Sequence, residues 1–135
     1  MVQKKKNTPY LERDISWMYF NRRILQEATR PHVPLLERMA FLGIYSNNLD
    51  EFFRVRMATQ SRIAECTDKA AAKESEHARK LIRQIGKLNA RYVEDYEKTV
   101  ASVTEALRQE NIYLVNDAEV TPEQLAFIQK FYREK

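Results

Sequence analysis

The stretch Leu42 to Arg56, LGIYSNNLDEFFRVR, gathers a carboxamide, a guanidinium and several aromatic rings within four helical turns. Drawn as a helix at about 100° per residue, it places Tyr45, Leu49, Phe52 and Phe53 on one arc. Asn48 falls at the border of that arc, between Phe52 and Val55, and Arg56 falls inside it. An amide can donate and accept at a base edge or a ribose, a ring can stack, and a guanidinium can face a phosphate. The set is suitable equipment for a nucleotide. A plainer reading stays open on spacing alone: Asn48 satisfies a loose backbone group, and Arg56 pairs internally with Asp14 or Glu37. Asp50 and Arg54, four apart on the outer side, can pair with each other.

Other chemistry is sparse. His32 lies in a proline-flanked turn and His77 on a charged helix face, neither with Cys or carboxylates at metal spacing. The single cysteine, Cys66, allows no intrachain disulfide and no CxxC site, and at a helix end it reads as a small apolar filler. The tyrosines read as core edges, with ring buried and hydroxyl wet. Only two glycines occur, Gly43 and Gly86, far apart. Neither GxxxxGK[ST] nor GxGxxG can be written, which excludes a P-loop or dinucleotide loop within this chain.

The 135 residues suit one domain, or one domain and part of another. A hydrophobic share of 44% supplies a core and excludes wholesale disorder. No apolar run reaches the roughly 18 residues of a membrane span. Met1 to Tyr10 has no apolar centre and does not read as a signal peptide. These features and the lone cysteine point to the cytoplasm. Charge is uneven: residues 1–30 hold seven Lys/Arg against three Asp/Glu, residues 31–66 four against four, and residues 67–135 twelve against twelve. The excess centres on Lys4-Lys5-Lys6. A nucleic-acid groove would spread basic residues among aromatics, so this cluster reads as a solvated end.

Few glycines and prolines favour long helices over a β-sandwich. Asp14 or Ser16 can cap a first helix, whose Trp17, Phe20, Ile24 and Ala28 share a face and which runs to about Thr29. Pro31 and Pro34 interrupt it. A second helix runs from Leu35 toward Cys66, with Met39, Leu42, Tyr45, Leu49, Phe52, Phe53 and Ile63 as its apolar side. Asn47-Asn48 is a candidate kink, because Asn amides compete for backbone partners. Gly43 suggests close approach to a neighbouring helix. Thr67 or Asp68 caps a third helix over about 70–109, seamed by Leu81, Ile85, Leu88, Tyr92, Tyr96, Val100, Val103 and Leu107. Ile112 to Val115 is a β-like run, and Thr121-Pro122-Glu123-Gln124 opens another helix as a capping box. The expected architecture is all-α: a three-helix antiparallel bundle over residues 1–109, then the truncated start of a second, mixed domain at 110–135.

ERDISWMYFNRRILQEA (12–28) and PLLERMAFLGIYSNNLDEFFRVRMA (34–58) resemble the amino-terminal domain of bacterial polyphosphate kinases of the first, histidine-phosphorylated type. The likeness is dense over residues 12–58, looser in the third helix, and resumes in NIYLVN and TPEQ. It implies a parent enzyme that reversibly transfers the terminal phosphate of ATP to polyphosphate through phosphohistidine, with Mg2+. It also implies that the phosphorylated histidine, the metal ligands and the polyphosphate tunnel belong to later domains. No catalytic or metal residue is then expected here, and neither His32 nor His77 takes that role. In the family this domain covers the adenine side of the ATP site, and the second Asn of SNNLDEF, here Asn48, is the residue associated with ATP. Arg56, Tyr45 and Phe52 follow as supporting residues. Expected partners are ATP, polyphosphate, the remaining domains and further copies of the enzyme, but not nucleic acid. The expected location is the cytoplasm, including a peripheral position at the inner membrane. The competing reading is a helical interaction or dimerisation module with no ligand, using the third-helix seam.

Overall fold

The computed structural model describes residues 11–135; the basic cluster Lys4–Lys6 lies outside them. The described residues form helices and connecting turns, with no strand among them. The described residues divide into two compact units, the first ending at Val103 and the second spanning Thr104–Lys135.

In the first unit, α1 spans Arg13–Glu27 and α2 spans Leu35–Phe52. The second helix continues through a widened π turn, Phe53–Met57, into α3, Ala58–Ala64. A short 3-10 turn at Lys69–Ala71, capped by Asp68, leads into α4, Ala72–Gln109. Asn21 touches Tyr45 and Asn48, Trp17 touches Phe52, and Asp14 touches Arg56 and Gln60, so α1 and α2 run antiparallel. Tyr45 stacks on Tyr96, while Gln60 and Ile63 share a groove with Lys73 and His77, so α4 runs antiparallel to α2 and α3. Arg38 Nε donates to the Ala28 carbonyl at 2.7 Å, tying the turn between α1 and α2.

The core is built from Ile15, Met18 and Leu25 of α1, Leu42, Tyr45 and Phe52 of α2, and Leu81, Ile85, Tyr92 and Val103 of α4. The α4 seam largely follows the expected spacing, with Thr99 buried where Val100 was expected. Thr99 can be buried because its hydroxyl donates to the Asp95 carbonyl at 2.7 Å.

Several local expectations change. The face carrying Trp17, Phe20 and Ile24 is not the core face of α1: Phe20 is 55% exposed. The core stripe is Asp14, Met18, Asn21, Leu25 and Ala28, at steps of four, three, four and three. Asp14 is therefore not the cap. The Glu12 side chain accepts from the Asp14 amide at 3.0 Å and does that work. The irregular turn falls at 53–57, not at Asn47-Asn48, because the Asn48 amide bonds to α1 and leaves its own helix undisturbed. Gly43 makes no close approach, since an added Cβ would meet open space. Cys66 is exposed.

In the second unit the α4 end is closed by Asn111 at φ 61°, with the Ile112 amide donating to the Leu107 carbonyl at 2.9 Å. Ile112 to Val115 is irregular rather than a strand, since a strand needs a partner for its amides and carbonyls. Asn116 and Glu119 form a tight turn, and α5, Pro122–Glu134, opens with the expected capping box at Thr121 and Gln124.

Gly43 in an exposed helix interior carries the entropic cost of glycine without a packing return. Gly43→Ala should stabilise the chain by about 0.5–1 kcal/mol, read as a higher urea midpoint at unchanged slope.

Candidate functional site

Trp17 and Phe20 of α1 face Asn48, Glu51, Phe52, Val55 and Arg56 across a cleft of about 360 Å³. The five residues from the second helix recur at steps of three, one, three and one, the spacing of one helical face. The last two lie in the π turn, a feature found often at functional sites. The Trp17 and Phe52 rings stack with centroids 4.2 Å apart and planes 6° apart. Phe53 meets Phe52 edge-on. Phe52 is thus a buried wall, and the ring free to meet a ligand is Phe20.

Asn48 stands half-buried at the edge of this cleft. Its Nδ2 donates to Asn21 Oδ1 at 3.2 Å, and Asn21 Nδ2 donates to the Tyr45 carbonyl at 3.2 Å. Asn48 therefore bonds to a side chain of the opposite helix, not to a loose backbone group. Arg56 forms the internal pair that spacing left open: its Nε lies 2.7 Å from Asp14 Oδ1. The approach is off the hydrogen-bonding direction, so the contact is chiefly Coulombic. Asp14 Oδ2 accepts from Gln60 at 3.2 Å. Asp50 and Arg54 pair on the outer side, as their spacing suggests.

Tyr45 does not belong to the cleft. It is 2% exposed, stacks on Tyr96, and its hydroxyl is buried without a hydrogen-bond partner among the described residues. Its place on the helical arc is correct, but that part of the arc faces α4. Burial, helped by Tyr92, Asp95 and Tyr96, pushes its pKa from 10.0 up to about 12. Reading the sequence missed Trp17 and Phe20, taken as core of α1, and also Val55, Glu51 and the buried Asn21. Asn21 had a visible signal: a polar residue at core spacing in α1, between Met18 and Leu25. Glu51 had none, being one of several exposed acids.

The electrostatics of the cleft favour neutral hydrogen-bond donors over anions. Glu51 is an exposed carboxylate that repels phosphate but accepts from hydroxyl or amino groups. Asp14 offsets the positive charge of Arg56, which weakens its pull on an anion. His32 and His77 are exposed and away from the cleft. Among the described residues, no group of three His, Cys, Asp or Glu side chains could hold a metal ion.

The model of the polyphosphate kinase N-terminal domain matches residues 10–115. The chain belongs to this family. It is 37% identical over 128 residues to the polyphosphate kinase of Vibrio vulnificus strain YJ016, covering 93% of this chain and 18% of that protein. It is 33% identical over 126 residues to the polyphosphate kinase of Vibrio parahaemolyticus serotype O3:K6, with the same two coverages. With the polyphosphate kinase of Escherichia coli strain K12 it shares 32% identity over 125 residues, again 93% of this chain and 18% of that protein. The chain thus spans about a fifth of the length of these curated relatives. No solved structure matches it. Among the described residues no helix is long and apolar enough to cross a membrane.

The raised Tyr45 pKa has a definite pH signature. The folded state holds the phenol proton more tightly than the unfolded chain, so this contribution is complete below pH 10 and is lost as pH rises toward 12. Urea unfolding of Tyr45→Phe should show about 2–3 kcal/mol less loss of stability across that window than the parent chain. At pH 7 the variant should be at least as stable, because no hydrogen bond is removed.

Proposed function

We propose that this domain forms one wall of the ATP site of a polyphosphate kinase, on the adenine side, with Asn48 as its nucleotide contact. The parent enzyme transfers the terminal phosphate of ATP reversibly to a polyphosphate chain through a phosphohistidine. The phosphorylated histidine, the Mg2+ ligands and the polyphosphate path lie in domains outside these residues. The full enzyme works as a homo-oligomer in the cytoplasm, including at the inner-membrane surface, and takes no nucleic acid.

The observation that carries this reading is the cleft between α1 and the second helix. It offers an aromatic ring at Phe20, an amide at Asn48 and a carboxylate at Glu51, with its only guanidinium drawn toward Asp14. That combination suits a base and ribose better than a triphosphate. An open wall on one side also suits a site completed by another part of the enzyme.

Two measurements test it. The complete enzyme should form polyphosphate from ATP and Mg2+, while the 135-residue chain should form none; inactivity of a folded complete enzyme would overturn the kinase reading. Asn48→Ala in the complete enzyme should raise KM for ATP roughly two- to tenfold, the equivalent of one neutral hydrogen bond. Unchanged KM and kcat would remove Asn48 from the site.

A further inference from the structure

We propose that Asn21 is a positioning residue for Asn48, and that it sets which end of the Asn48 amide the nucleotide meets. The proposal rests on the reading of Asn48 as a nucleotide contact. Asn21 is 1% exposed, so it cannot itself touch a ligand in the cleft. It bridges two groups of the second helix. One is the Tyr45 carbonyl, which can only accept. Asn21 must therefore turn its Nδ2 toward that oxygen, and does so at 3.2 Å. Its Oδ1 is left for Asn48, and an oxygen there can only accept. Asn48 must then offer Nδ2, and does so at 3.2 Å.

The polarity of a backbone carbonyl is thereby passed through two amides to the cleft. Reversing either amide would set oxygen against oxygen or nitrogen against nitrogen in a buried place, which is costly. The Asn48 Oδ1 keeps its lone pairs free of any partner among the described residues. One of the two Nδ2 hydrogens remains, but the nitrogen end of the amide is the end turned to Asn21, so the end left for the cleft is the oxygen, which reads a hydrogen-bond donor of the nucleotide. The donors adenosine offers are its ribose hydroxyls and its 6-amino group; its N1, N3 and N7 are acceptors.

The test uses the complete enzyme and measures KM and kcat for ATP in Asn21→Ala, Asn48→Ala and the double variant. It adds ATP analogues lacking one donor (2′-deoxy, 3′-deoxy, 6-deamino) or one acceptor (1-deaza, 7-deaza). Asn21→Ala should raise KM for ATP two- to tenfold at unchanged kcat, and should add nothing further when Asn48 is already Ala. One donor-deleted analogue should show a raised KM with the parent enzyme, and that penalty should disappear in Asn48→Ala. An Asn21 effect that persists in full beside Asn48→Ala would make Asn21 merely structural and overturn the relay. A penalty coupled to Asn48 that belongs to an acceptor-deleted analogue would show the opposite polarity and overturn it too. If Asn48→Ala alone leaves KM unchanged, the site itself fails and the relay falls with it, an outcome distinct from the first two. Should Asn21→Ala fail to fold, the analogue series with the parent and Asn48→Ala decides the polarity unaided.

Discussion

The first unit depends on polar groups of α1 that are buried in its contact with the second helix. Asp14 and Asn21 occupy core positions, and a buried polar side chain is tolerated only when its hydrogen-bonding capacity is met. The second helix and its continuation supply the partners: Tyr45 and Asn48 bond to Asn21, Gln60 donates to Asp14 Oδ2, and the Arg56 charge faces Asp14 Oδ1. The two sites are seven residues apart on α1, with Trp17 stacked on Phe52 between them. Apolar contacts alone would tolerate a slide of one helical turn. Here such a slide would leave a carboxylate and an amide unpaired together. Register between the two helices is therefore set by polar pairing, while burial of Ile15, Met18 and Leu25 supplies the adhesion.

The cleft is the outer edge of that same contact. Side chains on the core stripe of α1 point into the seam, so those one step round, Trp17 and Phe20, are left at its margin. The second helix contributes its matching margin at 48, 51, 52, 55 and 56. Asn48 and Arg56 serve both purposes, joining the seam on one side and lining the cleft on the other. The geometry of the cleft is thus inherited from the most constrained part of the core, which holds its lining side chains still.

Much of this was legible in the residues. Scarce glycine, the α4 periodicity and the capping box at Thr121 foretold helices with nearly correct bounds. SNNLDEFF drew attention to the face of the second helix that borders the cleft. What the residues concealed was which neighbour each side chain would meet. The arc containing Tyr45 and Phe52 was sound, yet Tyr45 turned to α4 and Phe52 to Trp17, because a wheel shows directions and not partners. On α1, large aromatic rings outweighed the small polar residues at core spacing, so Trp17 and Phe20 were read as the interior and Asp14 as a cap. A stripe reading Asp14, Met18, Asn21, Leu25, Ala28 makes sense only once the second helix supplies partners for its two polar members. The run at 112–115 failed for a related reason: strand propensity is realised only beside another strand.

The same accounting bears on the competing idea of a ligand-free dimerisation module built on the third helix. That idea needs a continuous apolar seam on α4 facing outward. Within residues 1–103 the seam is already used: Leu81, Ile85, Tyr92 and Val103 are each buried, and Tyr96 is stacked on Tyr45. What α4 leaves at the surface is its charged faces, including the Glu76–Lys80 and Glu94–Lys98 pairs. Association through that seam would require the first unit to open, at the expense of its own core. The exposed apolar side chains of the first unit lie instead on α1 and the second helix, among them Phe20 and Val55 on opposite walls of the cleft. That surface is a concave cleft beside a fixed amide, not the continuous apolar stripe that a coiled-coil partner would need.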